Sequence, residues 1–168
     1  MGSTEKYLSD LGLAPLRGKD RPVRGLSFDS RSVVTGSLFA ALPGTQVHGG
    51  QFITQALKNG AHTILTDRAG YEMARSEISS CDAAVVVAQD PRAALASAAA
   101  LWFARQPETV VAVTGTNGKT SVASFCQQIW AELGYSSVNI GTTGVEGAWT
   151  APLAHTTPDP LTLHSILC

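Results

Sequence analysis

From about residue 37 onward, short apolar runs alternate with stretches whose apolar residues recur at helical spacing. Residues 37–42 (SLFAAL) form a continuous apolar run of strand length that ends at the turn residues Pro43 and Gly44. Residues 51–57 (QFITQAL) carry a helical pattern closed by Asn59-Gly60, a favourable C-terminal cap. Residues 62–66 (HTILT) and 84–88 (AVVVA), rich in β-branched side chains, predict two further strands. Asp90-Pro91 opens a helix, because the carboxylate accepts from unpaired first-turn N–H groups and proline needs no N–H at that position. The alanine-rich stretch 93–105 continues that helix, and its apolar character implies burial between layers. Strands alternating with helices predict an α/β fold with much parallel sheet.

Gln106, Pro107 and Glu108 interrupt the pattern and mark a domain boundary, giving one domain over residues 1–107 and a second over 108–168. Beyond it the pattern predicts a strand over 109–113, a loop over 114–118, a helix over 119–133, and a strand near 137–140. Together these make a βαβ unit. A last helix occupies 161–168, with Asp159 ahead of Pro160 as its N-cap. Two strands are too few to bury the faces of a sheet, so either the covering surface comes from elsewhere or the second domain is the truncated start of a larger one. Its uncovered apolar face implies self-association.

Composition narrows the classes. With 168 residues, 44% hydrophobic and 15% charged, the chain suits a soluble globular protein of one domain and the start of another. A net charge of −1 exerts no general pull on nucleic acid or anionic membrane, so anion recognition must be local. No apolar run is long enough to span a bilayer, and the N-terminus lacks the basic-then-apolar order of a secretory signal. Cys81, Cys126 and Cys168 are odd in number and far apart, with no metal-ligand spacing, and read as reduced thiols of a cytoplasmic protein.

The strongest chemical signal is VVAVTGTNGKTS, residues 110–121. An apolar strand running into a glycine-rich turn and then a helix aims backbone N–H groups and the positive helix end at one point. Gly115, Thr116, Asn117, Gly118, Lys119, Thr120 and Ser121 are therefore the candidate ATP-binding loop. Lys119 is the candidate catalytic residue, its ammonium placed on the β- and γ-phosphates, and the Thr120 hydroxyl is the candidate Mg2+ ligand. Val113 departs from the general GxxxxGK[ST] pattern, which has glycine there.

TGTNGKTS resembles the phosphate-loop variant of the Mur ligases and their folylpolyglutamate-synthetase relatives. IGTTG (140–144), HTTPDPLTLH (155–164) and FDSRSVVTGSLFAALPGTQVHGGQFITQALKNGA (28–61) sharpen the match toward the Mur ligase type that adds the third peptide residue. The resemblance implies an N-terminal UDP-substrate-binding α/β domain followed by the truncated start of a P-loop ATPase domain. It further implies a ligase, using ATP and Mg2+, that adds a diamino acid (diaminopimelate or lysine) to UDP-N-acetylmuramoyl-L-alanyl-D-glutamate through an acyl phosphate, in peptidoglycan precursor synthesis. Carried over by position, Phe28 and Ser30 contact the UDP moiety, with Thr45, Gln46 and Val47 in the loop beside it. His155, Thr156 and Thr157 meet the substrate further along, His155 standing where some family members have asparagine. Asp29 and Arg31 can form an ion pair that shapes the UDP loop.

The family's carboxylated lysine, further magnesium and adenine contacts and C-terminal domain have no counterpart in these residues, so this chain alone is expected not to ligate. Three other readings remain: a non-catalytic module binding a UDP-sugar peptide or nucleotide, the sister Mur ligase that adds a dipeptide, and a phosphate-loop GTPase. The last lacks a guanine-reading Asn-Lys-x-Asp.

Overall fold

Strands that are apolar at every position, without alternation, are satisfied only in a sheet covered on both faces. The computed structural model describes residues 5–153 and 158–168. It divides into two compact units, residues 1–106 with 164–168, and residues 107–163. The first unit runs β1 (Lys6–Tyr7), β2 (Pro22–Val23), β3 (Gly25–Ser27), β4 (Ser37–Ala41), α1 (Ile53–Lys58), β5 (Thr63–Thr66), α2 (Arg68–Met73), α3 (Arg75–Ser79), β6 (Ala84–Val87) and α4 (Pro91–Phe103). Then follow α5 (Lys119–Glu132), β7 (Val138–Gly141), β8 (Gly144–Gly147) and α6 (Pro160–Leu167).

β3, β4, β5 and β6 form one four-stranded sheet in sequential order, and every pair is parallel. Phe39, Ile64 and Val85 stand side by side in register across it. With Ala41 they pack against Ile53 and Ala56 of α1, Ala74, and Ile78 of α3. Alternate positions point the other way. There α4 packs on β4 and β5, and Leu38, Leu65 and Ala84 of the sheet, like Leu95, Ala98 and Ala99 of the helix, are buried. Each large side chain so buried contributes about 1.5–3 kcal/mol relative to exposure. The outer edge of β6 is partly blocked, because Leu16 and Arg17 donate to the Val85 carbonyl and Val85 donates back to Arg17.

α4 begins as expected, with the Asp90 carboxylate accepting from the Arg92 and Ala93 amides at 3.0 and 2.9 Å. The predicted helix over 51–57 differs at its start: a 3-10 turn, Gly49–Phe52, precedes the α-helical residues.

In the second unit the βαβ expectation fails. Residues 109–113 form no strand; Val110 and Val111 are 65% and 59% exposed, and no ladder partner exists among the described residues. β7 pairs antiparallel with β8 instead, giving a helix followed by a hairpin. The physical reason is that an apolar strand holds its form only against a neighbour that bonds its backbone. α5 has no buried residue, and Val122, Phe125, Ile129 and Leu133 make an exposed apolar stripe along it. α6 is capped as expected, the Asp159 carboxylate accepting from the Leu161 and Thr162 amides. No helix among the described residues is long and apolar enough to cross a membrane.

Two threonines of β5 give opposite predictions. The Thr63 hydroxyl is buried without a partner among the described residues, whereas Thr66 donates to the Ala41 carbonyl at 3.0 Å. Thr63→Val should raise stability to urea by about 1 kcal/mol, and Thr66→Val should lower it by about as much. The reverse order in urea unfolding would contradict this packing.

Candidate substrate and phosphate sites

Because β3 to β6 are parallel, the loops leaving their carboxyl ends emerge along one edge of the sheet. Such edges are where open α/β sheets bind ligands. Phe28 and Ser30 follow β3, the loop of Thr45, Gln46 and Val47 follows β4, Asp67 follows β5, and Ala88 and Gln89 follow β6. A hollow of about 400 Å³ opens at the ends of β5 and β6, lined by Asp67, Arg68, Ala69, Val87, Ala88 and Gln89.

The loop after β3 is held from within. The Ser27 hydroxyl lies 2.8 Å from that of Ser32, and both meet the Asp29 carbonyl, at 2.9 and 3.0 Å. The Asp29 carboxylate accepts from the Arg31 backbone amide at 2.9 Å and from its guanidinium at 2.7 Å. Those Arg31 hydrogen bonds, side chain first and backbone second, hold the Asp29 carboxyl down to about 2. The expected ion pair is therefore present; in the same loop Phe28 is 45% exposed while Ser30 stays at 8%. Asn59, read from sequence only as a cap, donates to the Ser30 carbonyl at 2.7 Å.

The loop after β4 is held from outside. Arg92 donates to the Pro43 carbonyl at 3.1 Å, and the Gly49 amide donates to the Leu42 carbonyl at 2.8 Å. Gly44 sits so close to the Val47 carbonyl that a side chain there would collide with it. His48 accepts from the Gly50 amide through Nδ1 at 2.9 Å, and its Nε2 lies 3.1 and 3.2 Å from the two Asp67 carboxylate oxygens. Thr45, Gln46 and Val47 are left exposed at the tip. Sequence reasoning did not single out Arg92, Asp67 or His48, since no local pattern links these three positions.

The phosphate loop is described within the second unit. Gly115 and Gly118 have φ of 151° and 77°, the left-handed region that favours glycine. A side chain at Gly118 would meet no atom within 4 Å, so the backbone there is open to a ligand. No side chain caps the start of α5, which leaves first-turn N–H groups free for an anion. The Lys119 ammonium folds back onto the Gly115 carbonyl. Thr116, Asn117, Thr120 and Ser121 are exposed around it. This backbone fits a polyphosphate, with Thr120 one residue inside the helix. His155, Thr156 and Thr157 lie outside the described residues. No group of His, Cys, Asp and Glu able to hold a metal occurs among the described residues.

Comparison with known proteins gives this architecture its class. Residues 22–103 match the Mur ligase family catalytic domain, and residues 113–168 match the Mur ligase middle domain. The chain belongs to the Mur ligase family. Among its curated relatives, the UDP-N-acetylmuramoyl-L-alanyl-D-glutamate–2,6-diaminopimelate ligase of Mesorhizobium japonicum is 42% identical over 165 residues, 95% of this chain and 33% of that protein. The ligase of the same name from Brucella melitensis is 46% identical over 156 residues, 92% of this chain and 31% of its own. A solved structure, also of a ligase so named, superposes with a TM-score of 0.73 at 26% identity, covering 97% of this chain and 33% of that one. MurF from Acinetobacter baumannii, at 21% identity and a TM-score of 0.53 over 77% of this chain and 29% of its own, shares the fold. The chain spans about a third of the length of the curated relatives it matches.

The geometry yields two predictions. Asp29 has a folded pKa below its ordinary 3.8, so its pairing is complete above about pH 4 and is lost as pH falls through about 2. Carboxyl NMR titration should give a midpoint near 2 that moves up toward 3.8 in Arg31→Gln. Gly118→Ala forces a Cβ into left-handed backbone and should cost about 1 kcal/mol in urea unfolding, even with open space around it. No loss would place Gly118 outside that conformation.

Proposed function

We propose that this chain supplies the UDP-substrate-binding domain, residues 1–107, and the leading part of the ATPase domain, residues 108–168, of a cytoplasmic ligase. That enzyme would join 2,6-diaminopimelate to UDP-N-acetylmuramoyl-L-alanyl-D-glutamate at the expense of ATP, in peptidoglycan precursor synthesis. The observation that carries the reading is the pair of braced loops, 27–32 and 42–50, at the carboxyl edge of one parallel sheet. The names of the relatives support the choice of substrate and of diaminopimelate.

In this reading Phe28 offers an apolar face to the uracil ring, Ser30 a hydroxyl, and the tip Thr45, Gln46 and Val47 further polar and backbone contacts. His155, Thr156 and Thr157 meet the peptide end of the substrate. Gly115 to Ser121 hold the ATP phosphates, and the Thr120 hydroxyl holds Mg2+, which offsets phosphate charge when bound. A carboxylate is a poor electrophile. Its oxygen attacks the γ-phosphorus, the bond to ADP breaks, and the acyl phosphate formed gives the incoming amine a carbon from which inorganic phosphate departs. Lys119 offsets the charge that develops on the transferring phosphoryl group. Ligation belongs to the complete protein; the role of these residues is to bind and orient. The apolar stripe on α5 supports self-association of this chain, and nothing in its net charge of −1 favours nucleic acid or membrane.

Calorimetric titration with UDP-N-acetylmuramoyl-L-alanyl-D-glutamate tests the reading. The chain should bind it, and Ser30→Ala should weaken binding about threefold to tenfold, the worth of one hydrogen bond. Lys119→Ala should leave that binding unchanged and weaken ATP binding about tenfold or more, as loss of a charge-assisted bond does. A folded chain that binds ATP and no UDP ligand would defeat the assignment of residues 28–47 alone.

A further inference from the structure

Among the hydrogen bonds of the described residues, the His48–Asp67 bond joins the loop after β4 to the loop after β5, and neither the charge pattern nor the phosphate chemistry uses it. Its two ring nitrogens do different work. Nδ1 accepts from the Gly50 amide at 2.9 Å, so the proton of the neutral ring sits on Nε2. Nε2 then donates to Asp67, shared between carboxylate oxygens 3.1 and 3.2 Å away. Asp67 is itself fixed, because its Oδ1 accepts from the Gly70 amide at 2.8 Å and caps α2. The pair is largely buried, at 14% and 24% side-chain exposure, where a hydrogen bond to a charged group is screened less than on an open surface. The fit is close on both sides. A side chain on Gly70 would collide with the Thr66 hydroxyl and the His48 ring, and one on Gly50 would lie 3.0 Å from Nδ1 and 2.9 Å from Gly70 Cα.

Residues 43–47 of the loop that follows β4 are exposed, and Thr45 to Val47 lie directly before His48. Its far end is tied by Arg92 at Pro43. With Arg92 at one end and His48 at the other, the tip is anchored at both of its stems. From this geometry we propose that His48 is a positioning residue for the substrate loop. As its Nε2–H tautomer it docks the loop onto Asp67 at the end of the neighbouring strand and so holds Thr45, Gln46 and Val47 ready for the UDP moiety. This rests on the reading of residues 45–47 as UDP contacts. A loop that is competent only about a tenth of the time binds about tenfold more weakly, since apparent affinity scales with the competent fraction.

Two substitutions separate the two nitrogens. In His48→Asn the side-chain oxygen replaces Nδ1 and keeps the Gly50 bond, but the side chain is too short to reach Asp67. In His48→Gln the terminal amide replaces Nε2 and donates to Asp67. The experiment measures, on the full 168-residue chain, backbone 15N relaxation of residues 44–48 and the Kd for UDP-N-acetylmuramoyl-L-alanyl-D-glutamate. His48→Asn should loosen residues 44–48 and raise Kd about tenfold, while His48→Gln should stay within about threefold of wild type. Asp67→Asn keeps the α2 cap and an acceptor at Oδ1, but it removes the charge and sets an N–H against Nε2–H in place of Oδ2, so it should raise Kd in the same direction as His48→Asn and by less; it also serves if His48→Asn fails to fold. Equal effects of Asn and Gln, or a loosened loop with unchanged Kd, would overturn the positioning role. A wild-type chain that binds no UDP ligand would remove the functional reading and this proposal together; wild-type binding with an unaffected His48→Asn would remove this proposal alone.

Discussion

Phe39, Ile64 and Val85 lie side by side across a parallel sheet whose two faces are both covered, and everything else in the first unit depends on that burial. A sheet so enclosed has no free face for a ligand. Only the ends of its strands remain open, and the parallel arrangement sends the loops after β3, β4, β5 and β6 to the same edge. The core therefore decides which edge of the sheet its loops share.

Those loops are stiffened by polar bonds rather than by apolar packing. The loop after β3 closes on itself through Ser27, Ser32, Asp29 and Arg31, and the loop after β4 is tied outward to Arg92 and Asp67. Exposed residues at the tips thus rest on side chains that are themselves fixed, which lowers the entropy lost when a ligand is bound. The glycine-rich loop ahead of α5 follows a different logic. Its shape lies in the backbone, at two glycines with left-handed φ and at an uncapped helix start, so its form depends little on neighbouring side chains.

This difference explains what was legible in the sequence. β4, β5, β6 and α4 were readable because apolar runs, β-branched residues and the Asp90-Pro91 cap are local signals. TGTNGKTS was readable for the same reason. β1, β2 and β3, at two or three residues each, and the short helices α2 and α3 are too brief for a periodic pattern to emerge. The expected strand over 109–113 was misread because its pattern is that of a strand, while strand formation needs a partner the pattern does not reveal. Asn59 at Ser30 and Asp67 at His48 are contacts 29 and 19 residues apart in sequence, made only when parallel strands bring their ends together.

The most direct test of the central claim is an amide NMR titration of the isotopically labelled chain with UDP. The account predicts shifts concentrated at the carboxyl edge of the sheet, in residues 28–32, 43–50 and their immediate neighbours, with residues 115–121 unchanged. Shifts confined to residues 115–121, or none at the edge while UDP is bound elsewhere, would contradict it.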